Sequence, residues 1–148
     1  MTVIRDFFRQ RRVRQHVKTN GWKFDFHGTE VDVPDDSPLA LTNALIKGKY
    51  EAEEAEFISR YLPSNMPVLE LGGSLGIVSS LIRKHLDTET AHLIVEANPA
   101  LIEICSKNMS HPAGKVLCKA VSYDGSTANF EIKPNPHASM ISNTSEDG

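Results

Sequence analysis

Hydrophobic and polar positions follow two different periods along this chain, and the changes of period separate its elements. Between residues 22 and 33 apolar residues alternate with polar ones around His27 and Gly28, which predicts a β-hairpin. Between residues 75 and 86 apolar residues recur every three or four positions, which predicts an amphipathic helix. Similar helical spacing predicts further helices over residues 2–17, 39–46 and 51–61, and from residue 99 onward.

Three short apolar runs, bounded by turn-forming residues, are typical of buried strands. They lie at residues 68–71, 92–96 and 115–121, and a predicted helix separates each from the next. A fourth strand is predicted over residues 128–132. The order strand, helix, strand, helix, strand predicts an α/β fold with a parallel sheet, whose ligand site lies at the carboxyl ends of the strands.

The first of these strands ends in a glycine-rich turn at residues 72–76 that leads directly into a helix. Glycines permit a tight turn and a close approach of the backbone to a ligand, and the start of a helix presents free N–H groups and positive potential. Glu96 ends the second strand, 20 residues after Gly76, and this is the separation at which an acidic side chain meets ribose hydroxyls. The pattern therefore predicts half of a nucleotide site.

The residues of the turn argue against a phosphorylated ligand. Ser74 stands where a dinucleotide fingerprint has its middle glycine, and no Gly-Lys-Ser/Thr of a P-loop follows. Glu70 would repel a phosphate and attract an ammonium group, although taken alone it is equally well explained as an acid at a strand end. S-adenosylmethionine carries an ammonium, a sulfonium and no phosphate, so we expect it as the cofactor. A dinucleotide-binding oxidoreductase domain is the alternative that Ser74 disfavours.

The turn and the second strand together resemble the S-adenosylmethionine-dependent methyltransferases of the FkbM family. That family's first loop reads roughly Asp/Glu-x-Gly-Ala-Asn-x-Gly, and here residues 70–76 read Glu-Leu-Gly-Gly-Ser-Leu-Gly. Its second strand ends in Glu-Pro/Ala-Asn-Pro, and residues 96–99 read Glu-Ala-Asn-Pro. Residues 48–51 are similar to a Gly-x-Tyr-Glu segment of the family, and residues 120–125 to its third-strand stretch. Gly73 and Ser74 depart from the usual alanine and asparagine.

The resemblance implies a Rossmann-like class I methyltransferase fold, of which this chain holds the first half, and O-methylation of a hydroxyl on a sugar or small metabolite. It also implies that the turn passes under the methionine part and that Glu96 holds the ribose hydroxyls. Tyr50 and Glu51 are expected to line the entrance, with packing in the core as the alternative for Tyr50. The implied cofactor-binding residues are Glu70, Gly72, Gly73, Ser74, Gly76, Glu96, Ala97, Asn98 and Ala120.

The later strands of the family, with an Asp-x-Glu-Gly-like segment on the acceptor side, have no counterpart in this sequence. We expect a basic helix, hairpin and lead-in helix over residues 1–47, a cofactor-binding domain over 48–133, and a polar tail without strands over 134–148. An uncovered sheet edge beside the first strand predicts self-association or pairing with a partner. A non-catalytic nucleotide-binding or assembly module is therefore an alternative to an enzyme.

Composition and charge narrow the class of protein to which this chain can belong. With 40% hydrophobic and 24% charged residues, the chain reads as a globular domain. No apolar run approaches the ~20 residues that span a bilayer, and no signal peptide is evident, so we expect a cytoplasmic protein. The first 24 residues hold seven Lys or Arg and one Asp, a net charge of +6. We interpret this run as a solvated helix face, with nucleic acid or an anionic membrane surface as the alternative.

The reactive side chains do not form a recognisable catalytic or metal-binding pattern. Cys105 and Cys118 are 13 residues apart and are expected to be reduced core residues. Histidines and acids lack ligand spacing, which predicts no metal site. No catalytic base is assigned, because none of the four histidines considered lies at a predicted strand carboxyl end; these are His85, His92, His111 and His137.

Overall fold

The computed structural model describes residues 2–122, 129–131 and 140–142, with side chains from residue 4 to residue 122. The helices are α1 (Thr2–Asn20), α2 (Leu39–Ile46), α3 (Ala52–Tyr61), α4 (Ile77–His85) and α5 (Ile102–Asn108), the last preceded by a 3-10 turn at Pro99–Leu101. The strands are β1 (Lys23–Phe26), β2 (Thr29–Asp32), β3 (Val68–Leu71), β4 (His92–Glu96), β5 (Gly114–Cys118), β6 (Asn129–Glu131) and β7 (Met140–Ser142).

A three-stranded parallel sheet in the order β3-β4-β5 is the largest sheet among the described residues. Its register pairs Val68 with His92 and His92 with Gly114. Because α4 connects β3 to β4 and α5 connects β4 to β5, the predicted β-α-β-α-β order is confirmed. The protein is a mixed α/β structure, compatible with a partial Rossmann-like fold.

The two faces of this sheet differ sharply in burial. One face presents His92 and Ile94, which are 1% and 0% exposed, and Ile94 packs with Cys105 of α5. The other face presents Leu69 and Leu71, which are 62% and 58% exposed. Helices therefore cover only one side of the sheet within the described part of the chain. Parallel sheets are usually covered on both faces, so the second face is unusual.

The N-terminal hairpin packs against the helices that cover the sheet. Its turn is formed by His27 and Gly28, both with positive φ, as the sequence pattern predicts. The Oγ1 of Thr29 lies 3.0 Å from the Oγ of Ser80 on α4. Asn108 of α5 accepts a hydrogen bond from the backbone N–H of Asp32, and its own amide donates to Asp32 and Leu75. These bonds join the hairpin to α4 and α5.

Several boundaries differ from the sequence predictions. The predicted tail contains β7, which pairs antiparallel with β6, so the expectation of no strand after residue 132 is wrong. This strand is only three residues long and lies in a polar segment, so the pattern of apolar residues does not reveal it. The third sheet strand ends at Cys118, whose side chain is exposed rather than in the core, because it lies at the end of an outer strand. The turn predicted at residues 124–125 falls outside the described residues.

Candidate functional site

The turn between β3 and α4 is built from left-handed backbone. Gly72, Ser74 and Gly76 have φ values of 86°, 48° and 74°. The backbone N–H of Gly72 donates to the carbonyl of Val95 at 2.7 Å, which holds the start of the turn against β4. α4 begins at Ile77, directly after Gly76, so the turn lies where the first N–H groups of a helix are free of intrahelical partners.

The three glycines of the turn are required for different reasons. A Cβ at Gly73 would lie 2.3 Å from Cγ2 of Ile94, and one at Gly76 would lie 2.7 Å from the carbonyl oxygen of Cys105. Those two glycines allow the turn to pack closely on β4 and α5. A Cβ at Gly72 would meet nothing within 4 Å, so this position borders open space. The accessible side of the turn is therefore the side of Gly72.

Glu96 fastens the turn to the end of β4. Its carboxylate accepts hydrogen bonds of 2.7 Å from the backbone N–H groups of Ser74 and Asn98, and the residue is 7% exposed. The two bonds fall on different carboxylate oxygens. Because each carboxylate oxygen can accept more than one hydrogen bond, Glu96 keeps acceptor capacity for a ligand hydroxyl.

Asn98 lies beside Glu96 and combines a capping role with an unused donor. Its Oδ1 accepts from the backbone N–H of Ala100 at 3.1 Å, which confirms the predicted cap before Pro99. Its side chain is buried, and the Nδ2 has no hydrogen-bond partner among the described residues. A buried amide donor without a partner is costly, so this group is suited to a ligand acceptor.

Glu70 lies on the same face of the sheet as Glu96. The register pairs Glu70 with Ile94, and Ile94 and Glu96 are two residues apart on one strand, so all three side chains point to the same side. Glu70 accepts a hydrogen bond of 2.9 Å from the Oγ of Ser79, and its other oxygen lies 3.0 Å from Nε2 of His92. The two acids therefore lie near the strand ends on one face, whereas the contacts of Glu70 with Ser79 and His92 were not predicted from the sequence.

The His92 contact depends on strand register, since His92 begins β4 and lies diagonally across from Glu70. Its side chain is fully buried, and the Nδ1 has no hydrogen-bond partner among the residues described. The alternation of His92 with Ile94 and Glu96 is the one sequence signal that marks it as facing the same side. His92 supports Glu70 from the amino end of the strand, away from the turn.

Glu70 and Glu96 both influence the pKa of Cys105, which lies beneath the turn. Burial raises the pKa of the Cys105 thiol to about 12, and the negative charges of Glu70 and Glu96 contribute to the same rise. The side chain is fully buried and lies close to the turn glycines. A thiol held neutral in this way packs as a small apolar group and is not a nucleophile.

A second group of acids surrounds the start of α3. Glu54 is exposed, and the partial desolvation of its carboxyl group together with the charges of Glu51 and Glu70 raises its pKa. Burial also raises the pKa of Tyr50 to about 12, with Glu51 and Glu54 adding to the effect. These shifts identify a region of negative potential formed by Glu51, Glu54 and Glu70. A cationic ligand would be favoured there.

Tyr50 also has a packing role in the N-terminal part of the protein. Its ring lies 6.0 Å from that of Phe26 in an edge-on arrangement. It lines a cavity of about 290 Å³ together with His16, Asp25 and His27, among others. Packing in the core therefore accounts for Tyr50 without a ligand.

Replacing Glu54 with glutamine is expected to stabilise the protein at neutral pH. The folded-state pKa is raised above its ordinary value of 4.5, so the stability contributed by Glu54 is present below about pH 4.5 and is lost as the pH rises through the folded-state value. A neutral amide avoids that loss. Thermal melts of Glu54→Gln should show a gain over the wild type at pH 7 and little or none at pH 4.

Glu53, which is exposed like Glu54 and lies in the same first turn of α3, offers a matched control. Glu53→Gln removes the same favourable charge from the helix N-terminus without relieving the repulsion around Glu54. An equal gain in both variants at pH 7 would contradict the assignment of strain to Glu54.

The remaining predicted site residues lie around the same edge of the sheet. Ala97 is half-buried between Glu96 and Asn98, and Ala120 is exposed, two residues beyond the end of β5. Among the described residues, His, Cys, Asp and Glu form no group of three that could hold a metal ion.

Nine predicted cofactor-binding residues therefore lie at or near the carboxyl ends of three adjacent parallel strands.

None of the helices in the described part of the chain has the length and apolar character to cross a bilayer. Comparisons of the chain with protein-family models, with curated proteins and with solved structures found no match.

Proposed function

We propose that this protein binds S-adenosylmethionine and belongs to the methyltransferases, with O-methylation of a hydroxyl on a sugar or small metabolite as its reaction. The observation that carries the proposal is the shared orientation of Glu70 and Glu96, on either side of a glycine turn at the carboxyl edge of a parallel sheet. Two carboxylates in this arrangement favour a cationic adenosine compound over a diphosphate.

The residues of the site fit this cofactor. The open side of Gly72 leaves room for the methionine part next to the turn. Glu96 has remaining acceptor capacity for the ribose hydroxyls, and the unused Nδ2 of Asn98 offers a donor for a ring nitrogen of adenine. Glu70 acts through its charge, because its carboxylate is directed toward the buried Ser79 and His92. Its field combines with that of Glu51 and Glu54 to favour the positive sulfonium and ammonium groups.

When bound, S-adenosylmethionine supplies a methyl group on a positively charged sulfur. The transfer is a displacement by an acceptor oxygen, so the protein contributes chiefly by positioning the two reactants. The described residues hold the cofactor side of this arrangement. The O–CH3 bond would form as the S–CH3 bond breaks, S-adenosylhomocysteine would be the leaving group, and the proton of the acceptor hydroxyl would pass to solvent, since we assign no residue of the chain as its base.

We also infer a cytoplasmic protein that associates with itself through the free edge of β3. In the part of the chain that the structure describes, β3 pairs with β4 and with no other strand. An uncovered strand edge favours pairing with another strand, and the exposed Leu69 and Leu71 would be partly covered by it. Sedimentation should show a dimer that a Leu69→Asp/Leu71→Asp variant loses. A wild-type monomer would overturn this part of the proposal.

Calorimetric titration with S-adenosylhomocysteine and with NAD tests the cofactor assignment. We expect S-adenosylhomocysteine to bind and NAD not to bind. Glu96→Gln should weaken the binding by about tenfold or more, because a charged acceptor for the ribose is lost. Glu53→Gln, at an exposed acid on α3, should leave the affinity unchanged. Thermal melts of each variant establish that the fold is retained.

Preferential binding of NAD would support the alternative of an oxidoreductase domain, and binding of neither compound would overturn the proposal. A methyl-transfer assay with radiolabelled S-adenosylmethionine, across glycans and small alcohols, then separates an enzyme from a non-catalytic binding module. Binding without any transfer across the panel would favour the module.

A further inference from the structure

α1 presents two very different sides. One side packs on the rest of the protein: Val13 is 7% exposed, the ring of His16 stacks on that of Phe24 at 4.5 Å, and Arg12 donates a hydrogen bond to Asn43 of α2. This packing fixes the rotation of the helix about its axis. The opposite side of α1 therefore faces solvent.

The solvent side combines apolar and cationic residues in a regular order. Ile4, Phe7 and Phe8 are 68%, 60% and 55% exposed, and they lie together on the first two turns at helical spacing. Exposed cations continue the same stripe along the helix at positions 11, 14 and 18. We call this stripe the outer face of α1, and its residues are Ile4, Phe7, Phe8, Arg11, Arg14 and Lys18.

Neither the fold nor the proposed cofactor site accounts for this outer face. Two adjacent phenylalanines in water are unfavourable, and contiguous exposed apolar groups with a polar rim mark interaction surfaces. Asp6 forms an ion pair with Arg9 at 3.3 Å, on the edge of the packed side, so it does not neutralise the cations of the outer face. The outer face is therefore apolar over the first two turns of α1 and positively charged over the turns that follow.

The distribution of charge over the whole chain orients this surface toward anions. The protein has a net charge of −3, yet its first 24 residues carry +6. The remainder therefore carries −9, and a negatively charged surface repels most of the molecule while it attracts α1. Electrostatics therefore favours the orientation in which α1 faces the negatively charged surface.

We propose that the outer face of α1 docks on the surface of a lipid bilayer that contains anionic lipids. Ile4, Phe7 and Phe8 enter the boundary between headgroups and acyl chains, and Arg11, Arg14 and Lys18 contact the headgroup phosphates and carboxylates. Phosphate contacts of duplex nucleic acid would engage the same cations, but they would leave the isoleucine and the two phenylalanines in water, whereas a bilayer buries them. The inference does not depend on the proposed methyltransferase function.

Co-sedimentation of the full chain with vesicles tests the proposal. Binding is expected to vesicles of phosphatidylcholine with phosphatidylserine and not to phosphatidylcholine alone. It should fall steeply between about 0.1 M and 1 M salt, where the screening length shortens from roughly 10 Å to 3 Å. Phe7→Ser/Phe8→Ser should reduce partitioning by about tenfold or more, and Arg11→Gln/Arg14→Gln/Lys18→Gln by at least as much.

Phe57 and Tyr61 provide the matched control, because they are 63% and 61% exposed on α3 and their rings also adjoin, at 5.0 Å. Phe57→Ser/Tyr61→Ser should bind vesicles like the wild type. All of the substituted side chains are exposed, so circular dichroism should show an unchanged fold. Equal binding by the Phe7/Phe8 variant, or an equal loss in the control, would overturn the proposal. Binding to duplex DNA that outcompetes the vesicles would assign the outer face to nucleic acid instead.

Discussion

Replacing Gly76 with alanine is expected to lower the free energy of unfolding by about 3 kcal/mol. Two costs combine at this position. The φ of 74° is strained for any residue with a Cβ, and the new Cβ would lie 2.7 Å from the carbonyl oxygen and 2.9 Å from the Cα of Cys105. Those atoms belong to the backbone of α5 and cannot rotate away. Urea denaturation followed by circular dichroism measures the loss.

Gly72→Ala separates the two costs. Gly72 lies in the same turn with a φ of 86°, but a Cβ there would meet nothing within 4 Å. We expect this variant to lose only the conformational part, about 1–2 kcal/mol. If Gly72→Ala and Gly76→Ala lowered the free energy of unfolding equally, this would contradict the close packing of Gly76 on the backbone of Cys105. The same pair of variants also tests whether the turn has the geometry on which the cofactor proposal rests.

Removing the carboxylate of Glu70 is expected to cost about 3 kcal/mol of stability. Glu70→Ala leaves the fully buried His92 ring and the Ser79 hydroxyl without their acceptor, inside a region that excludes water. Glu70→Gln should cost less, because its amide oxygen still accepts one hydrogen bond. Chemical denaturation at fixed pH gives both values.

A double-mutant cycle shows whether the loss of stability arises from the contact between Glu70 and His92. Combining Glu70→Ala with His92→Leu should cost less than the sum of the single losses, with a coupling of about 1 kcal/mol or more. The exposed ion pair of Glu56 and Arg60, with atoms 2.8 Å apart, is the control, and its coupling should stay below about 1 kcal/mol. Additive losses at Glu70 and His92 would show that the buried contact contributes little.

Much of the local structure could be predicted from the sequence. Alternation around His27 and Gly28 predicts the hairpin, and the cap at Asn98 predicts where the helical segment after β4 begins, because turns and caps depend on residues a few positions apart. The apolar runs predict β3, β4 and the start of β5 to within a residue or two. Local patterning failed for β7 and for the exposed Cys118, where the surroundings of a strand decide the outcome.

The amino-acid sequence by itself determined the order of strands and helices, the position of the glycine turn and the placement of Glu70 and Glu96 near strand ends. Only the tertiary structure decided that the two carboxylates share a face, that Glu70 binds Ser79 and His92, and that one face of the sheet remains exposed. The physical reason is register: the side on which a strand residue points is set by pairing with a strand more than 20 residues away, and a shift of one residue would reverse it.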